Sequence, residues 1–146
     1  MDSFNLSEDI KVMCITAAKF PDGIEQAHLQ MRSLLPIKKQ RRSFGISWPD
    51  EQGNIIYKAA AEEIQNDESA KLGLETFLIK KGNYNTFYIK DHIKFPGSIS
   101  DAFQILLGQQ EVDPLSYRLE WYIGENDVKC MVPVDNHLHF TGLNKE

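Results

Sequence analysis

From residue 10 onward the chain alternates between strand-like and helix-like spacing of its apolar residues. Ile10 to Ala18 is rich in valine, isoleucine and threonine, the composition of a strand. Pro21-Asp22-Gly23 breaks that run. Ile24, Ala27, His28, Met31, Leu34 and Leu35 then recur at helical intervals and share one face. Asp22, with Glu25 three residues later, reads as the cap of this helix, and Pro36 as its stop. Phe44, Ile46 and Trp48 alternate with Ser43, Gly45 and Ser47, which is a strand signature. Pro49 to Gly53 is a turn, and Asn54 to Ile64 returns as the second strand of a hairpin. Ala59-Ala60-Ala61-Glu62-Glu63 has helical propensity, but it continues Ile55-Ile56-Tyr57 and is assigned to the strand.

Asn66-Asp67-Glu68-Ser69 reads as a polar loop, after which the order repeats. Leu74 to Lys80 and Thr86 to Ile89 are strands around a turn at Lys81-Gly82-Asn83. Pro96-Gly97-Ser98 opens a helix with Ile99, Ala102, Phe103, Leu106 and Leu107 on one face, and Gly108 ends it. Tyr117 to Ile123 and Val128 to Val134 form a last hairpin around Gly124-Glu125-Asn126-Asp127; the tail after Asp135 is polar. The expectation is an α+β fold of duplicated β-α-β-β units. Two helices cover one face of an antiparallel sheet of about seven strands, and the other face is concave and open to a ligand. Residues 10–64 and 74–134 should be related by a pseudo-twofold.

The last hairpin carries the most chemistry. Period-2 alternation groups Tyr117, Leu119, Trp121 and Ile123 on one face, expected under the helices. It groups Arg118, Glu120 and Tyr122 on the other, expected on the open side. A carboxylate ringed by aromatics binds a cationic, apolar ligand through charge pairing and cation–π contact, or serves as an acid or base. From spacing alone, the simpler reading is that Glu120 pairs with Arg118 or a cross-strand lysine on a wet surface.

Composition narrows the field. The chain has 146 residues, one domain's worth, with 42% hydrophobic and 25% charged residues and a net charge of -5. That charge disfavours nucleic acid, and the basic run Lys38-Lys39-Gln40-Arg41-Arg42 reads as a solvated connection. No targeting or membrane-spanning segment is visible, and Cys14 and Cys130 sit apart in strand-like runs, so a soluble cytoplasmic protein is expected. No nucleotide-binding, nucleophile-elbow or zinc motif occurs. His137 and His139 read as an exposed pair, His28 as a satisfied helix residue, and His92 as a loop residue. No metal, cofactor or catalytic residue is assigned.

Ile79-Lys80-Lys81-Gly82-Asn83-Tyr84-Asn85-Thr86, the helix over 98–107, Leu119-Glu120-Trp121-Tyr122 and the closing Val128–Val134 resemble the GyrI-like small-molecule-binding domain. That family includes effector-binding domains of multidrug-responsive transcription activators and stand-alone proteins related to the gyrase inhibitor. The clearest shared feature is a Glu two residues before a Tyr in the penultimate strand, matched by Glu120 and Tyr122. The resemblance implies a single domain over residues 1–146, with its core at 10–134 and a duplicated fold. It implies a pocket between the halves with Glu120 as the acid and Trp48, Tyr57, Tyr88 and Tyr122 as aromatic walls. The implied partner is a small amphipathic or cationic molecule, with a protein partner or a homodimer as further options. About nine residues precede the first expected strand, so no helix-turn-helix and no direct DNA binding are expected. Some stand-alone members resemble hydrolases of small strained-ring compounds that use the same Glu, which keeps an enzyme reading open beside the binding and gyrase-inhibitor readings.

Overall fold

A computed structural model describes residues 1–35 and 40–134. Pro36, Lys38, Lys39, the His137 and His139 pair and the polar tail lie outside the described residues. The elements are β1 (Asp2–Leu6), β2 (Ile10–Thr16), α1 (Ile24–Leu34), β3 (Ser43–Pro49), β4 (Ile55–Glu62), α2 (Glu68–Leu72), β5 (Glu75–Ile79), β6 (Gly82–Ile89), α3 (Ser98–Leu107), β7 (Arg118–Ile123) and β8 (Asp127–Pro133). A short 3-10 turn, His92–Lys94, precedes α3. No helix among the described residues is long and apolar enough to cross a membrane.

The strands form one antiparallel sheet in the order β1-β6-β8-β7-β3-β4-β2-β5. The repeat is β-β-α-β-β; the sequence reading has a strand at 74–80 for β5 and lacks only β1. The two units join at β3 and β7, and each lends its first strand to the other: β1 pairs with β6, and β5 with β2. β1 escapes the sequence reading because only Phe4 and Leu6 are apolar in its five residues.

Connection lengths force this sheet to curl. Laid flat, β1 and β2 would be six strand spacings apart, about 29 Å. The chain from Leu6 to Ile10 spans at most about 14 Å. The Ile79-to-Gly82 link imposes the same closure on β5 and β6. The two links meet, with the Lys81 N–H donating to the Asp9 carboxylate at 2.7 Å. The enclosed face is filled: Leu6 and Tyr84 from one end of the sheet pack with Ile10 and Ile79 from the other, around Phe44, Ile46, Leu119 and Met131.

Both long helices lie on the opposite face, α1 across β4 and β2, and α3 across β6 and β8. Ala59 and Ala61 of β4 are buried on that side, and Ala60 joins the enclosed core. Small side chains on a strand paired along both edges let α1 approach closely, so pairing overrides the helical propensity of the alanine run. The side of β7 that meets the helices is the reverse of the expectation. Leu119, Tyr117 and Trp121 belong to the enclosed core, whereas Tyr122 packs with Ala102 and Leu106 of α3.

Three local expectations change. Gly23, not Asp22, caps α1, and no side chain bonds there. A Cβ at Gly23 would lie 2.8 Å from the Lys19 carbonyl oxygen, so only glycine fits the turn. The polar loop at 66–69 contains the start of α2, because Glu68 gathers the N–H groups of Ile64 and Gln65 and both terminal nitrogens of Arg41. Hence Arg41 is a buried structural cation rather than a solvated one, and Arg42 pairs with Glu62 at 2.7 Å.

Candidate functional site

Glu120 sits mid-strand on β7, opposite Gly45 of β3 and Cys130 of β8. Tyr57 is two strands away on β4, and its side chain crosses over Gly45 to reach the carboxylate. The Tyr57 hydroxyl donates to Glu120 Oε1 at 3.0 Å, and the Tyr122 hydroxyl donates to the same oxygen. Glycine makes the crossing possible. A Cβ at position 45 would stand 2.0 Å from the Tyr57 hydroxyl oxygen and 2.8 Å from Glu120 Oε1. His28, on α1, completes the group, its Nε2 being 2.8 Å from the Tyr57 hydroxyl and its ring centroid 5.3 Å from that of Tyr122. With Tyr57 donating to an ionised carboxylate, His28 Nε2 carries the proton that completes the chain.

Burial pushes the Glu120 carboxyl above its ordinary 4.5, opposed in part by the two tyrosine hydroxyls. Burial and the adjacent carboxylate raise Tyr57 and Tyr122 too, so both remain protonated donors. Burial, reinforced by Arg32, lowers His28 to about 4 and keeps it neutral at neutral pH. The Cys130 thiol is pushed up to about 12, by burial and then by Glu120, and is inert. Cys14 and Cys130 are both free and belong to opposite faces of the sheet.

The carboxylate forms part of the floor of a cleft of about 590 Å³. Phe20 and Ile24 make one apolar wall; Phe95, Ile99 and Phe103 make the other. Phe20 and Phe95 are 46% and 59% exposed, which is apolar surface held open at the mouth. Glu120 Oε2 accepts no hydrogen bond from the described residues, and no described lysine or arginine pairs with this carboxylate. A second, more polar cavity of about 750 Å³ is lined by His28 and shares Tyr122 and His92 with the first; Glu25, Arg32, Arg41 and Glu125 border it. No group of three or more metal-ligating side chains occurs among the described residues.

Of the five residues singled out from sequence, the structure gathers Glu120, Tyr57 and Tyr122. Trp48 stacks on Phe77 against the enclosed core, on the other face of the sheet. Tyr88 is 46% exposed and donates to Asp127 at 2.6 Å, away from Glu120. Both are out of phase: Trp48 shares the parity of Phe44 and Ile46, not that of Gly45. Sequence reasoning missed Gly45 and the part played by His28. A glycine inside an alternating strand signals close approach of another group and could have flagged Gly45. A histidine on the buried stripe of a helix was visible, but not the side chain it would meet.

No known family profile matches the chain, and no curated protein matches it in sequence. Solved structures do share its fold. The chain superposes on "SAV2435 bound to tetraphenylphosphonium" with a TM-score of 0.63 and 15% identity, over 94% of this chain and 95% of that one. It superposes on a hydrolase from Listeria innocua with a TM-score of 0.57 and 7% identity, covering 92% and 91%. A protein from Staphylococcus aureus MU50 named for bacterial transcription regulation gives 0.59 and 12%, covering 92% and 97%. At these identities the likeness establishes the fold and leaves function to the site.

Proposed function

We propose that this protein binds small amphipathic cations in the cleft between α1 and α3, with Glu120 as counter-ion and Tyr57 and Tyr122 holding it. One observation carries the reading: a half-buried carboxylate at the floor of an apolar cleft, with one oxygen unclaimed and no basic side chain paired to it among the described residues. Leaving such a charge unpaired is costly, and a ligand that supplies the cation removes that cost. The fold shared with a protein solved with tetraphenylphosphonium supports the choice of ligand class. In this reading the chain is a GyrI-like effector-binding module for drug-like cations, linked to sensing or transcription regulation through other proteins. The open cleft argues against a module that works only by protein contact, in the manner of the gyrase inhibitor.

The test is calorimetric titration with tetraphenylphosphonium and with neutral triphenylphosphine oxide. Glu120→Gln keeps the shape and removes the charge. It should weaken the cation roughly tenfold, about 1.4 kcal/mol, and change the neutral probe much less. Equal affinities for both probes in both proteins would sink the proposal.

A hydrolase reading has one observation in its favour, the same unclaimed Glu120 Oε2, which could take a proton from water. It predicts lost turnover with binding retained in Glu120→Gln.

A further inference from the structure

Arg118 lies two residues before Glu120 on β7 and lines the same cleft. Strand geometry separates their Cα atoms by about 6.6 Å along one face. Opposite charges so placed on a wet surface would pair, but here they do not. Tyr57 and Tyr122 hold the carboxylate, while Arg118 Nη1 donates back to the Ser116 carbonyl at 3.2 Å. That uses one of the five N–H donors of the guanidinium. No acidic side chain among the described residues bonds to Arg118, and none of its nitrogens is both sealed from solvent and unpartnered. Its unpartnered nitrogens therefore keep some exposure to solvent, and the side chain lines the cleft. Burial acts on this group with no acid to compensate it. The lining of this cleft also includes Ser98, whose buried hydroxyl has no partner among the described residues.

We infer that the cleft is built for a dipolar ligand, an apolar body with a cationic centre at Glu120 and a carboxylate at Arg118. The inference rests on the cation reading of Glu120 and extends it from a charge to a pair of charges in a fixed order. A plain cation gains Glu120 but meets an uncompensated guanidinium nearby. A zwitterion satisfies both, and the planar fork of arginine suits a carboxylate in particular.

The experiment titrates the full chain with (3-carboxypropyl)triphenylphosphonium and with its methyl ester, which share the cation and the apolar body. Wild type should bind the zwitterion more tightly than the ester, by roughly tenfold. Arg118→Gln should abolish that preference and leave the ester unchanged or improved. Arg118→Lys keeps a charge without the fork, so it should retain part of the preference. It also preserves the test if the glutamine variant folds poorly. Glu120→Gln should weaken both probes by the same factor and preserve their ratio. A wild type that binds the ester as tightly as the zwitterion overturns the inference, and so does an Arg118→Gln that weakens both probes equally. Unchanged affinities in Glu120→Gln would instead defeat the cation reading.

Discussion

The two faces of the sheet bury tyrosines in opposite ways. On the enclosed face, the Tyr84 hydroxyl donates to the Lys80 carbonyl at 2.5 Å and lies 2.7 Å from the Tyr117 hydroxyl, in a cluster with Leu119 and Met131. Both tyrosine tips there end on neutral partners, within a filled core. On the helix face, Tyr57 and Tyr122 end on a carboxylate that keeps an unshared oxygen, beneath an open cleft. The same residue type closes a core on one side and supports a charge on the other. One side satisfies its tyrosine hydroxyls with neutral groups, and the other leaves a carboxylate oxygen for the proposed ligand.

Four measurements test this contrast. The largest effect belongs to the filled face. Leu119 is 0% exposed, and Leu119→Ala should cost about 2–5 kcal/mol in denaturant unfolding. Cation affinity, measured where the variant is folded, should be unaltered. A large loss of affinity without loss of stability would put the binding surface on the wrong side.

Gly45→Ala should come next, at about 1–3 kcal/mol from overpacking. Its added methyl displaces the Tyr57 hydroxyl, so cation binding should fall with stability. Unfolding and titration curves identical to wild type would show that Tyr57 does not need the gap.

The third effect is a pH dependence. Glu120 is raised, so between 4.5 and its folded value the native protein holds a proton that the unfolded chain has lost. Stability from this group is present at low pH and falls as pH rises through that window. His28 is lowered from 6.5 to about 4, so there the unfolded chain holds the extra proton. Its contribution is present above 6.5 and is lost as pH falls toward 4. Each limb is at most about 1.36 kcal/mol per pH unit, and the two oppose each other where they overlap. Glu120→Gln should expose a stability that rises from pH 4.5 to 6.5, and His28→Gln one that falls. Parallel pH profiles in the two variants would contradict both assignments.

The smallest effect is a control. Tyr88→Phe removes one exposed hydrogen bond and should change stability by less than about 0.5 kcal/mol, with no change in cation affinity. A weakened cation would return Tyr88 to the site.

Much of the fold was legible because its signals are local. The helices at 24–34 and 98–107 follow from apolar spacing, and the hairpins from alternation broken by turn residues. Alternation also grouped Glu120 with Tyr122. It could not say which row meets the helices, since Tyr117, Leu119 and Trp121 on one side and Tyr122 on the other are all fit for burial. That choice depends on the direction of curl, which the short links at 7–9 and 80–81 impose only once the strand order is known. Trp48 shows the same limit, being apolar, aromatic and near Gly45 in sequence, but one residue out of phase. Glu68 looked like loop polarity because its partner, Arg41, lies 27 positions away.

The exchange of first strands reaches beyond architecture. Cut between β4 and β5, the chain would yield two fragments, each holding a strand that completes the other's sheet. The fragments should therefore remain clasped after cleavage and reassemble when mixed. A lone copy of one such unit could meet the same need only by handing its strand to a twin, as a swapped homodimer. Twins must carry identical residues on both central strands. Fusion into one chain lifts that constraint, so the strand bearing Glu120 can supply the acid while its neighbour, at Gly45, supplies the room.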